Sequence, residues 1–148
     1  MKINFKEQVK NLIFAVFWSL TSASIITPRI YFRIEYALGH GMTEPYNVPI
    51  LDWPQYLILS ISVLLMGVLI GDFTAFILFY IFGLIFSCLL MYLLILLPIY
   101  VGILPIEYFA FYDYAALNYI GKSFVIAPVV LFLFVGVVGV FLREMILD

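Results

Sequence analysis

Few side chains in this sequence could take part in chemistry, and none stands beside another that would help it. His40 is the sole histidine and sits between Gly39 and Gly41. A metal site or proton relay needs further donors nearby, so this His reads as a solvent-facing loop residue. Cys88 is the single cysteine, which excludes an internal disulfide and a cysteine-based metal cluster. It lies inside an apolar run, whereas a reactive thiol needs exposure and a group that stabilises the thiolate. Packing is the role expected of it. Asp72 is the only charge between Pro54 and Ile106. Its carboxylate could be an intramembrane ion site, but the flanking segments offer no base. A helix cap, accepting from N–H groups near Thr74 and Ala75, is the expected role.

Arg29 and Arg33 are four residues apart and share a face if one helix carries both. They suit lipid headgroups or Glu35, reached by snorkelling, or a carboxylate on a partner subunit. Glu107 and Asp113 flank an aromatic stretch and would have to converge with His40 to make a catalytic site. Nothing in their spacing requires that. Ser19, Thr21, Ser22, Ser24 and Thr27 crowd one apolar segment. Ala15, Ser19 and Ser22 follow helical spacing and form a small, weakly polar stripe. Such a stripe lets another helix approach closely; a polar lining for a solute path is the sharper alternative.

The elements that position these residues are dictated by composition. The chain has 148 residues, 66% of them hydrophobic and 11% charged. Soluble domains are roughly 45–50% apolar and about 25% charged, so the excess apolar surface must meet lipid or other membrane helices. The net charge of −2 gives no footprint for nucleic acid. A crossing takes about 20 helical residues, and the run from Pro54 to Ile106 is long enough for two, with Gly71-Asp72-Phe73-Thr74 as the turn. The expected fold is an all-α integral membrane protein of four transmembrane helices with a tight central hairpin. One short interfacial amphipathic helix is expected besides.

The whole chain reads as a single membrane domain with no internal repeat. The first crossing is expected from about Asn11 to Phe32. Lys2, Lys6 and Lys10 precede it, and Thr21 to Ser24 has the small residues of a signal cleavage site, but a retained membrane helix is the reading adopted. An outer loop follows from about Ile34 to Trp53, stiffened by Pro45, Pro49 and Pro54, with Tyr46, Trp53 and Tyr56 as interfacial rings. The hairpin helices are expected at about Gln55 to Gly71 and Thr74 to Leu97. Ser60, Gly67 and Gly71 lie along one face of the first, and Gly83 and Ser87 repeat the four-residue spacing on the second. Backbone contact is the expected use of these small residues. Pro105 to Ile120 reads as the interfacial helix. Its apolar face would carry Ile106, Phe109, Ala110, Leu117 and Ile120. The last crossing is expected from about Ser123 to Leu142, interrupted early by Pro128, with Gly136 and Gly139 as a close-approach surface.

Four crossings put both termini on one side. Lys2, Lys6, Lys10 and Arg143 lie there, and the two longer connections lack Lys and Arg from Ile34 onward, so both termini are expected in the cytoplasm of a cell-membrane protein. No residue pattern asks for a cofactor or metal. The functional expectation is a non-catalytic accessory subunit of a larger membrane complex, with other integral membrane subunits and lipids as partners. A small homo-oligomeric transporter or channel is the alternative, although only Pro128 hints at the broken helix transporters use. A membrane enzyme subunit with an outer-face site is the third.

Overall fold

The computed structural model describes residues 5–41, 51–126 and 128–147. The described residues are mostly helical, with no strand: α1 (Phe5–Gly39), α2 (Trp53–Ile70), α3 (Phe73–Tyr100), a 3-10 turn (Ile106–Tyr108), α4 (Phe109–Ile120), a π-helical turn (Gly121–Ile126) and α5 (Pro128–Leu147). Four of these, α1, α2, α3 and α5, are long and apolar enough to cross a membrane. Lys2, Pro45, Tyr46 and Pro49 lie outside the described residues.

Local signals set the boundaries. Asp52 precedes α2, its N–H donates to the Gln55 side chain at 2.9 Å, and Pro54 occupies the first turn, where a missing N–H costs nothing. Gly71 ends α2 in the left-handed conformation, with φ of 68°, and its N–H bonds the Gly67 carbonyl at 2.9 Å. Asp72 then opens α3. Gly71 and Asp72 together therefore reverse the chain within two residues.

That turn does not make α2 and α3 a packed pair. They touch only thinly; α2 packs chiefly on α5, and α1 on α3. A tight central hairpin was the expectation; its turn is present, but the main seams run between helices distant in sequence. Ser19 of α1 meets Gly83 of α3, and Tyr31 meets Ile95, so those helices run parallel. The α2–α5 seam is parallel too, Gly67 meeting Gly136 and Ile70 meeting Arg143. Between the two pairs, Phe76 faces Gly136 and Tyr80 bonds Val129, an antiparallel contact. Trp18, Tyr80, Phe76, Phe124 and Phe132 fill the centre, with ring centroids 5.2–6.3 Å apart.

Four further expectations need correcting. Helix α1 does not stop near Phe32, and no loop starts at Ile34; it continues to Gly39 with Pro28 inside it. The buried face explains why: Ile26, Ile30, Ile34 and Ala37 carry one stripe straight past the proline, all fully buried. Pro98 likewise lies inside α3, which runs on to Tyr100. The last helix begins at Pro128 after the π-helical turn and carries Arg143 within it rather than at its end. On α4 the buried face is Tyr112, Ala115, Ala116, Tyr119 and Ile120, while Ile106 and Leu117 are exposed. Two adjacent alanines sit at the middle of this face, and α4 packs mainly on α3 and the π-helical turn.

Candidate functional site

The side chains singled out from sequence sort into two seams and three helix ends. On the α1–α3 seam, Ala15, Ser19, Ser22 and Ser87 are all buried. Ser19 Oγ lies 2.8 Å from both the Ala15 and the Gly83 carbonyls, so its single proton is shared between its own helix and the neighbour. Ser22 donates to the Trp18 carbonyl at 2.9 Å, within α1. Gly83 is needed for space: a Cβ there would sit 3.0 Å from Trp18 Cε3 and 3.3 Å from the Ala15 carbonyl oxygen. This stripe is therefore occupied inside the chain.

The α2–α5 seam is glycine against backbone. A Cβ on Gly67 would collide with the Gly136 carbonyl oxygen, and one on Gly139 with the Leu64 carbonyl oxygen. Gly136 is also pressed by the Phe76 ring. Ser60 is half-buried, outside this contact; its neighbour Ser62 donates to the Leu59 carbonyl at 2.7 Å. In a bilayer no hydrophobic drive separates helix from lipid, so such backbone proximity supplies dispersion contacts that bulkier faces do not.

At the helix ends, Asp72 Oδ1 accepts from the Ala75 N–H at 2.6 Å. Beside it, Arg143 Nη1 donates to the Leu69 and Ile70 carbonyls at 3.1 and 2.9 Å. Those are the unpaired last carbonyls of α2, where a cation also meets the negative end of the helix dipole. Gly71 leaves room for the guanidinium; any side chain there would strike it. At the other end, Arg29 pairs with Asp52 at 3.4 Å rather than with Glu35, tying α1 to the start of α2. Arg33 is half-buried. The third set is aromatic: Tyr92 donates to Asp113 Oδ1 at 2.6 Å, joining α3 to α4. Tyr112 on α4 packs 6.2 Å from Tyr31, and burial, then Glu35 and Tyr108, push its hydroxyl above the usual tyrosine range. It stays neutral at physiological pH.

The residues weighed for an outer-face site are engaged separately. His40 sits 2.8 Å from the Tyr36 carbonyl and stacks on that ring at 4.1 Å, Asp113 serves Tyr92, and Glu107 is exposed. Cys88 is half-buried. Among the described residues no group of His, Cys, Asp and Glu could hold a metal ion.

Sequence reasoning missed the tyrosines that cross between helices. Tyr31 OH lies 2.8 Å from the Ile95 carbonyl and 3.3 Å from that of Leu94. Pro98 has no N–H to offer Leu94, so the proline four residues on was a readable signal for an acceptor in need of a donor. Tyr80 donates to Val129 at 2.8 Å. Among the described residues, four buried side-chain atoms have no hydrogen-bond partner: Asn11 Oδ1, Trp18 Nε1, Thr27 Oγ1 and Ser87 Oγ. Compared with family models, with curated proteins and with solved structures, the chain has no match.

Proposed function

We propose that this chain is a non-catalytic accessory subunit of a larger membrane complex. One observation carries the reading: seven of its polar side chains join one helix to another or close a helix end. Ser19, Tyr31, Tyr80, Tyr92, Asp113, Arg29 and Arg143 each bond a different helix or a helix end. A bundle built this way supplies shape and rigidity rather than reactive groups. Alternating helix directions, α1 and α3 one way and α2 and α5 the other, support four crossings with both termini on one side. The positive-inside bias favours the cytoplasm for that side. The α4 helix would then lie at the outer interface.

The small-residue seams are used up internally, so partner helices meet the large apolar side chains that remain exposed, such as Phe17, Ile85 and Phe134. Lipids cover the rest. The test is extraction in mild detergent followed by native mass spectrometry. Co-purification with at least one unrelated membrane protein is expected. A monodisperse species of this chain alone that conducts solute in liposomes would replace the subunit with a small transporter or channel.

A further inference from the structure

Apart from the seams, α1 carries an open trough along its outward surface. It holds about 590 Å³, within the range of small-molecule sites, roughly 300–1,000 Å³. Ala23, Ser24, Tyr31, Phe32 and Glu35 line it from α1, and Leu94 lines it from α3. Ser24, Phe32 and Glu35 are exposed, so the trough opens away from the bundle. Twelve residues separate Ala23 from Glu35, about 18 Å of helix. Only the Glu35 end is charged. Depth follows from the other charges of α1. Lys10 and Arg29 are nineteen residues apart, about 28 Å, close to the roughly 30 Å of a hydrocarbon core. With those two at opposite surfaces, Glu35 stands about 9 Å beyond Arg29, among the headgroups. Ala23 stands about 9 Å on the other side of Arg29, in the hydrocarbon of the same leaflet.

The trough therefore has the order of a lipid, with its charge outward and its apolar length inward. Its length suits an extended alkyl chain rather than a compact ring. Charge selects the head. Among the described residues Glu35 has no ion-pair partner, since Arg29 is held by Asp52 at 3.4 Å. Arg33 lies about 200° round the helix from Glu35, off this face. A carboxylate so placed attracts a cation and repels an anionic head. A head with N–H donors adds charge-assisted hydrogen bonds, which a trimethylated ammonium cannot make. We infer that the trough seats one membrane lipid with a primary ammonium head, of the phosphoethanolamine class. Its ammonium bonds the Glu35 carboxylate, and one acyl chain runs past Phe32 and Leu94 to Ser24. This site goes beyond the subunit reading and holds with or without partner subunits.

The test offers detergent-purified protein an equimolar mixture of dioleoyl phosphatidylethanolamine, phosphatidylcholine and phosphatidylglycerol, and counts bound lipid by native mass spectrometry. The first adduct should be the ethanolamine lipid, in about two- to fivefold excess over the choline lipid, the range an exposed ion pair supplies. Glu35→Gln should bring that ratio to one while adducts persist, because the seat for the chain is intact. Ser24→Phe, a change at an exposed position, should fill the deep end and remove the first adduct of all three lipids. Both substitutions lie outside the core, and an unchanged thermal midpoint shows that each variant is folded. Equal retention of ethanolamine and choline lipids would overturn the proposal. So would a preference that survives Glu35→Gln, or a first adduct untouched by Ser24→Phe. Preference for the glycerol lipid would overturn it as well, since a guanidinium rather than Glu35 would then select the head.

Discussion

The α1–α3 and α2–α5 seams solve one problem with different chemistry. Both bring two parallel helices together, and both use glycine. On α1–α3 the glycine is accompanied by hydroxyl bonds: Ser19 reaches the Gly83 carbonyl and Tyr31 reaches Ile95. On α2–α5 the middle of the seam is bare backbone, Gly67 on Gly136 and Gly139 on Leu64, and the side-chain bond across it comes from Arg143 at the end. A seam of bonds can tolerate a small displacement, since each bond stretches or rotates. A seam of touching backbones cannot, because an added methyl has nowhere to go.

The largest expected effect follows from that contrast. Gly67→Ala and Gly139→Ala must push α2 from α5, because the obstruction is a carbonyl oxygen fixed in a helix rather than a movable side chain. Overpacking of this kind costs about 1–3 kcal/mol. Gly83→Ala meets its nearest atoms at 3.0–3.3 Å, two of the three belonging to the Trp18 ring, and should cost visibly less. Cys88, the single thiol and half-buried, reports unfolding in detergent through a fluorogenic maleimide during heating. Equal losses for Gly67→Ala and Gly83→Ala would erase the distinction between the seams.

Next in size is Arg143. Replacing it with Met keeps the length of the side chain and removes the cation from the Leu69 and Ile70 carbonyls. A cation at a helix C-terminus contributes 0.3–1 kcal/mol when exposed and up to about 2 when partly buried; Arg143 is half-buried. The same heating assay should place Arg143→Met below the α2–α5 glycine variants, with Arg143→Lys recovering part of the loss. Should Met equal wild type, the guanidinium holds nothing. Smaller again are the α1–α3 bonds. Ser19→Ala and Tyr31→Phe should each cost roughly 0.6 kcal/mol, the usual worth of a side-chain hydrogen bond between membrane helices. Their double variant should be close to additive, since the two sites lie twelve residues apart on α1.

What the sequence discloses about this contrast depends on whether the signal is local. The Gly71-Asp72 turn is legible because a flexible residue and a capping carboxylate interrupt an unbroken apolar run. The small-residue stripes are legible as stripes, but their partners are not: four-residue spacing says that something comes close and cannot say which helix. Gly67 could as well have met another chain as Gly136. Pro28 misleads, because its cost is local while the compensation, burial of Ile30, Ile34 and Ala37, comes from the fold. The interfacial segment misleads in the same way, two alanines overriding the larger apolar side chains at Ile106 and Leu117. Arg143 escapes because its acceptors are backbone carbonyls, which every residue possesses and no sequence marks; for Tyr31 the one mark is Pro98, which leaves the Leu94 carbonyl without its helical donor.

Asp72 sharpens the comparison at its smallest scale, where the two seams meet at the turn. Its carboxylate accepts from the Ala75 N–H at 2.6 Å, one of the unpaired donors of the first turn of α3. An amide oxygen does this nearly as well, since Asn and Asp rank together at the N-cap. Asp72→Asn should therefore shift thermal stability by no more than a few tenths of a kcal/mol, whereas Asp72→Ala, which removes the acceptor, should cost about 1 kcal/mol. The two substitutions divide the readings because each removes the charge and only one removes the cap. If stability follows the acceptor, Asn behaving as wild type and Ala not, the residue is a joint between α2 and α3. If both variants instead abolish an ion flux in liposomes equally while the fold is intact, the charge itself is being used, and Asp72 belongs to an ion path. The first outcome is expected, because the oxygen that would bind an ion already holds the helix.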